Sequence, residues 1–307
     1  MKTTVSKIIF FFIIITALLG VISSPIALLL GFIFTIIFTN PFNTESKKAI
    51  KLLLKIAIVG LGFGMFVKET LVTSKESFAL TFYSIILTVS LGLLLTKLFK
   101  VDRKIGHLIT SGTAICGGSA IAAISAVIKA NSKAISIALG IVFLLNSIAL
   151  LVFPPIGHYL NLTQAQFGLW CAIAIHDTSS VVGAALTYGE EALRIATTVK
   201  LARTLWIIPL SIFSMLLFKT KGEKIKIPYF IVLFILAIII NSYNIIPSEI
   251  TSSIVLISKR LLLVTLFLVG STISISDIKS TGVKPLLLAF SLWVFISIFS
   301  LSYIVYL

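Results

Sequence analysis

Ser111-Gly112-Thr113-Ala114-Ile115-Cys116-Gly117-Gly118-Ser119-Ala120 lies in the middle of an apolar run that extends from residue 106 to residue 128. Three glycines and four hydroxyl or thiol side chains in ten residues weaken a helix where the apolar flanks demand one. Backbone groups released there must find partners among neighbouring helices, water or a ligand, because hydrocarbon offers none. Two readings follow. The small residues can let helices pack closely, or the helix is broken and its freed N–H groups, with the positive end of the second half, hold an anion.

Outward from this stretch the chain stays apolar. Of 307 residues 58% are hydrophobic and only 11% are charged, against about 25% charged in a soluble domain, and the mean hydropathy is +1.16. A water-soluble globule is excluded. Apolar runs fall near 8–22, 25–39, 50–67, 77–98, 106–128, 134–153, 165–187, 192–218, 228–243, 253–275 and 283–306, each near the ~20 residues that a bilayer span requires. The expected fold is an all-α integral membrane protein of about eleven transmembrane helices, with no extramembrane segment long enough to fold alone. The first run follows Lys2 and Lys7 without a small-residue cleavage site, so it reads as a retained helix rather than a signal peptide.

The net charge of +15 sits in short segments between the runs, which points to loops facing anionic lipid rather than nucleic acid. With the N-terminus inside, fifteen basic residues fall on the inner side and five (Lys68, Lys75, Lys129, Lys133 and Arg194) on the outer side. The expectation is therefore a bacterial inner-membrane protein, multi-pass, with a cytoplasmic N-terminus and an external C-terminus. Cys116 and Cys171 lie in apolar runs without ligand spacing, so neither a disulfide framework nor a zinc site is expected. No nucleotide-binding loop occurs either.

A weak repeat relates the halves at an offset near 150 residues, with 112–119 facing 269–276 and the Ile128-Lys129 region facing Ile278-Lys279. It suggests an extra first helix (1–23) and two inverted five-helix repeats (24–155 and 163–307) with crossed broken helices, an arrangement that in transporters builds the substrate site near the midplane. Gly270, Ser271 and Thr272 would then face the first break.

Two further constellations carry chemistry. His176-Asp177-Thr178-Ser179-Ser180 holds Asp177, the one acid well inside a run, which reads either as a structural partner for a buried cation or as an ion- or proton-binding carboxylate beside His176. Lys55, Lys200, Arg203, Lys259 and Arg260 are cations in or at the edge of runs. Snorkelling accounts for Lys55, Lys259 and Arg260, whereas Lys200 and Arg203 share one helix face deep in a span and suit an oxyanion. An intramembrane serine protease using Ser119 and His176 is the enzymatic alternative.

These motifs resemble a known family. Ser111 to Ala123 followed by Val127-Ile128-Lys129-Ala130, Ile175 to Ala184, Lys200-Leu201-Ala202-Arg203 before Pro209, Ile227-Pro228-Tyr229-Phe230 with Asn241-Ser242, and Gly282-Val283-Lys284-Pro285-Leu286 resemble the signature of the bacterial sulfate exporter family, the YeiH-like inner-membrane proteins. That family is distantly similar to the sodium/proton antiporter and bile-acid symporter superfamily. Ser125-Ala126 departs from the Ala-Pro or Glu-Pro of many members, and the first two spans are short. The resemblance alone supplies the word sulfate. Combined with the residues, it implies a secondary transporter exporting sulfate, a related sulfur oxyanion or a sulfonate. Thr113, Cys116, Gly117, Gly118, Ser119, Lys200, Arg203, Gly270, Ser271 and Thr272 would bind the anion. His176, Asp177, Thr178 and Ser179 would couple its movement to protons or sodium. The rival transport reading is a cation/proton antiporter with Asp177 as ion ligand. No catalytic residue, metal or cofactor is expected, and the expected partners are the anion, the bilayer and a second copy of the chain.

Overall fold

A computed structural model describes residues 2–38, 40–220, 229–272 and 282–306. The described residues form fifteen helices and no strand: α1 (Lys2–Leu19), α2 (Ser24–Phe38), α3 (Asn43–Gly62), α4 (Val67–Glu76), α5 (Phe78–Leu98), α6 (Arg103–Ala114), α7 (Gly118–Val127), α8 (Ser132–Tyr159), α9 (Gln164–Ala174), α10 (Thr178–Tyr188), α11 (Glu190–Thr204), α12 (Ile207–Phe218), α13 (Tyr229–Ser242), α14 (Ser248–Ser271) and α15 (Val283–Tyr306). Local chemistry sets the boundaries. The Asp102 carboxylate accepts from the Lys104 and Ile105 amides to start α6, the Asn131 side chain starts α8, and Thr163 with Gln166 forms a capping box at α9.

All eleven apolar runs contain helix, but they are not equivalent. Phe78–Leu98, Lys133–Tyr159, Glu190–Phe218, Ser248–Ser271 and Val283–Tyr306 are each long and apolar enough to cross a bilayer. α3 and α4 are bent by 109° at their junction and together supply up to one further span. Hydropathy along the chain thus makes this a multi-pass membrane protein.

By contact the chain divides into two units that interleave in sequence. One holds α1–α3, α13 and α14; the other holds α5–α9, α11, α12 and α15; α4 and α10 have residues in both. In the first unit α14 packs against α1, α2 and α3. A Cβ on Gly31 would meet the Phe267 carbonyl at 2.1 Å, and one on Gly270 would meet the Leu28 carbonyl at 2.2 Å, so backbone lies on backbone between α2 and α14. Asn40 donates to the Ser271 carbonyl at 3.1 Å and Thr35 donates to it at 2.6 Å.

Two helical hairpins have their turns in the second unit. In the first, α6 and α7 fold back on each other: Lys104 Nζ donates to the Lys129 carbonyl at 2.8 Å at the base, and Gly112 faces Ile121 so closely that a Cβ would lie 2.9 Å from it. The turn between them is 115–117. In the second, α9 and α10 fold back likewise: the Tyr188 hydroxyl donates to the Leu162 carbonyl at 2.6 Å, Tyr188 stacks on Phe167 at 3.7 Å, and the turn is 175–177. Arms of 10 to 12 residues rise about 15–18 Å, half of the ~30 Å hydrocarbon core. α8, with 28 residues, runs from the base of the first hairpin to the base of the second, so the hairpins enter from opposite ends of this unit. Arg103 donates to the Leu217 carbonyl and Thr220 to the Val127 carbonyl, which sets the end of α12 beside the first base.

This corrects the expected crossing. The runs 106–128 and 165–187 do not continue through their breaks; each returns to the end it came from. The two turns, 115–117 and 175–177, lie about 60 residues apart in sequence. Residues 221–228 and 273–281, which carry part of the 150-residue match and the Ile227-Pro228 and Ile278-Lys279 motifs, lie outside the described residues.

Candidate functional site

The tips of the two hairpins meet. Gly117 has φ +62°, which only glycine adopts readily, and a Cβ on it would sit 3.3 Å from the His176 carbonyl group. The break is therefore a local necessity: a left-handed turn reverses the chain, and a missing side chain lets the second tip approach.

A first arm ends at each tip with unsatisfied carbonyls and the negative end of its dipole. α11 covers both. Lys200 Nζ donates to the carbonyls of Ala172 at 3.2 Å and Ile175 at 2.7 Å, at the end of α9. Arg203 Nη2 donates to the Ala114 carbonyl at 2.5 Å, at the end of α6, and Nη1 to the Ser84 hydroxyl at 2.7 Å. Both cations are fully buried. Their i, i+3 spacing, legible in the sequence, serves the two helix ends simultaneously. Neither donates to an acid, so the charges are matched to dipoles rather than to ion pairs.

The second arms present positive ends. Asp177 caps α10: its Oδ2 accepts from the Ser179 amide at 3.1 Å, the Ser180 amide at 3.3 Å and the Ser179 hydroxyl. The hydrogen-bond partner of the Asp177 carboxylate is thus a helix end, with Lys200 within electrostatic reach. α7 has no such cap, since Gly117 brings no side chain. Cys116 lies against the Ala120 amide and Thr204, within electrostatic reach of Lys200 and Asp177. Thr113 is buried with its hydroxyl unpartnered, Thr178 and Ser179 are buried, Gly118 opens α7 and Ser119 is exposed.

His176 is buried, and its amide donates to the Asn146 Oδ1 at 2.9 Å. Its two ring nitrogens and the Asn146 Nδ2 have no partner. A serine–histidine dyad is not formed, because Ser119 makes no hydrogen bond to that ring. Asn146 and Ser84 are tip residues that the motif reading missed. Asn146 was visible as a lone amide inside an apolar run; nothing local distinguished Ser84.

Gly270, Ser271 and Thr272 are not part of this constellation. They belong to the other unit, where Gly270 lies on α2 and Ser271 binds Thr35 and Asn40. Thr272 bonds its own helix through the Val269 carbonyl. Their small side chains serve helix packing. Lys55 lies 5.2 Å over the Tyr229 ring and the Arg260 guanidinium covers Gly20, also within that unit. Among the described residues no three His, Cys, Asp or Glu side chains converge on a metal position.

The class is thus a multi-pass membrane protein with two helical hairpins whose tips meet. More particularly, residues 6–289 match the family model described as "Conserved hypothetical protein 698", and the chain belongs to that family. It is 52% identical to a UPF0324 membrane protein of Photobacterium profundum over 301 residues, 97% of this chain and 92% of that one. It is 49% identical over 286 residues to a UPF0324 membrane protein of Bacteroides thetaiotaomicron, covering 92% of this chain and 86% of the relative. A UPF0324 membrane protein of Shewanella oneidensis is 46% identical over 284 residues, with 92% and 90% covered. No solved structure matches the chain.

Proposed function

We propose that the protein is a secondary transporter of a small anion, with the hairpin tips as its substrate site. The observation that carries this reading is the electrostatic asymmetry at the tips. Lys200 and Arg203 offset the negative ends of α9 and α6, while α7 begins at Gly117 with no side-chain cap, only Cys116 lying against the Ala120 amide of its first turn. Two cations against Asp177 leave the centre net positive, which favours an anion over a cation.

Thr113, Cys116, the amides of Gly118 and Ser119, and the Ser119 hydroxyl would supply donors. Asp177 and His176 would link substrate movement to a proton or to sodium. Sulfate, a related sulfur oxyanion or a sulfonate, and the outward direction, come from the resemblance to the sulfate exporters. Opposed hairpins of similar length also fit an inverted-repeat transporter, in which either end can open towards a central site.

The hairpin geometry sharpens the orientation. Lys129 shares an end with Lys104, so Lys129 and Lys133 move to the inner side and the basic residues divide seventeen to three instead of fifteen to five. That supports a cytoplasmic N-terminus in a bacterial inner membrane.

Proteoliposomes of the full chain, loaded with sulfate, sulfite, sulfonates, phosphate or carboxylates, test the reading under an imposed pH gradient. Anion efflux should follow the gradient, Asp177→Asn should uncouple it, and Arg203→Ala should abolish it, with Arg203→Lys retaining part. Selective anions should also raise the melting temperature, a hundredfold excess over Kd corresponding to about 2.7 kcal/mol of stabilisation. Equal flux from all variants would remove the site assignment, and flux of cations alone would establish the antiport reading with Asp177 as ligand.

A further inference from the structure

α6 is buried from Gly106 to Ala114, yet polar side chains line both of its seams. On the seam with α11 and α12, His107 Nε2 meets the Ser214 hydroxyl at 2.8 Å at one end and Arg203 meets the Ala114 carbonyl at the other. Ser211 lies one turn deeper than Ser214. On the seam with α5, the Thr110 side chain rests on Gly92, Arg203 holds Ser84, and Thr88 lies one turn from both. Six buried atoms along these seams have no protein partner: the hydroxyls of Thr88, Thr110, Thr113 and Ser211, His107 Nδ1 and Arg203 Nε.

Each such atom left unpaired costs about 1–3 kcal/mol. Together they would approach or exceed the ~5–15 kcal/mol that holds a typical fold, and hydrocarbon cannot relieve them. Buried water can, because each molecule makes 2–4 hydrogen bonds of this kind. From His107 to Ala114 the helix rises about 10 Å, a length that roughly three or four waters at ~2.8 Å spacing would span.

We propose that a file of internal water runs along α6 from His107 to Arg203 and gives protons a route between the base of the first hairpin and its tip. His107 is the terminal group of that file. Ser214 donates to the Leu210 carbonyl at 2.7 Å, so Nε2 of His107 carries the hydrogen shared with Ser214 and Nδ1 is the free acceptor. A proton arriving on Nδ1 is balanced by transfer of the Nε2 proton to the Ser214 oxygen, whose own hydrogen turns from the Leu210 carbonyl to a water of the file, leaving the ring and the hydroxyl neutral. The charged side chain acting on this ring is Arg103 of α6 itself, held by the Leu217 carbonyl and lying 4.8 Å over Phe218. α12 meets the ring with Ser214 and Phe218, neither of which is charged. The file is independent of which ion the tips bind.

Two measurements on the full chain in nanodiscs test it. In a Cys116→Ala, Cys171→Ala background, Ser211→Cys and Thr110→Cys are exposed to Ag+, and remaining thiols are counted with a maleimide after denaturation. Both should react at least tenfold faster than Leu108→Cys, which sits on the same helix in the apolar core; equal rates overturn the proposal. Radiolytic hydroxyl labelling of the wild-type chain needs no substitution. His107 should be oxidised several-fold more than Phe267, which is equally buried but packed among aromatic rings, and labelling no greater than that of Phe267 overturns the proposal as well. Neither readout depends on transport, so a dry seam and a failed anion assignment are separate results.

Discussion

Gly117 and Asp177 each carry one hairpin turn, and they do so by different chemistry. Gly117→Ala forces a side chain into a left-handed conformation beside the His176 carbonyl group. Thermal unfolding in detergent should show a loss of about 1–3 kcal/mol. Gly118→Ala, inside the helix and facing the flexible ends of Phe143 and Leu139, should be neutral or stabilising by up to ~1 kcal/mol. At the second tip Asp177→Asn retains a good cap and should leave stability within a few tenths of a kcal/mol, whereas Asp177→Ala should cost about 1 kcal/mol. A coupling role shows as lost pH dependence in the stable Asn variant. The acid, the histidine and the glycines were all legible in the sequence, because ionisable and helix-weakening residues stand out in an apolar run. That Asp177 faces two amides rather than a cation was not legible, since both partners satisfy the same residue type.

For the elements, the second half of each hairpin is what sequence pattern misread. Twenty-odd apolar residues interrupted by glycine have the same hydropathy whether the second arm continues or returns. Only pairs such as Gly112 with Ile121, or Phe167 with Tyr188, separate the cases. The covers on the first arms should be needed for the tips to hold. Arg203→Met removes the donor to the Ala114 carbonyl and should speed amide exchange over 115–120 by at least tenfold, while the α9–α10 tip changes less; Lys200→Met should show the converse. Gly270→Leu belongs to a different contact. It overpacks α14 against α2 and should destabilise by about 1–3 kcal/mol without altering exchange at either tip.

The whole molecule carries a topological prediction. Since Lys104 reaches the Lys129 carbonyl, the two ends of the first hairpin face one compartment. Lys100→Cys and Lys129→Cys, each the sole added cysteine, should be labelled by a membrane-impermeant maleimide from the same side of sealed vesicles. Labelling from opposite sides would restore a continuous span at 106–128. Native Cys116 and Cys171 are buried and should contribute no background. The interleaved units are likewise a long-range property, as the unit around α14 joins helices of residues 1–72 to those of 228–274.

By itself the sequence determined residence in a bilayer, helical segments at all eleven apolar runs, a helix-weakening stretch around Cys116, and two cations, Lys200 and Arg203, on one helix face inside a run. These follow from each residue's own solvation and helix propensity, which a local window contains. Only the tertiary structure decided that the broken runs turn back, that Lys200 and Arg203 cover helix ends, and that Gly270 is a packing residue. The direction of a chain after a glycine turn, and the partner of a buried donor, depend on groups tens to hundreds of residues away.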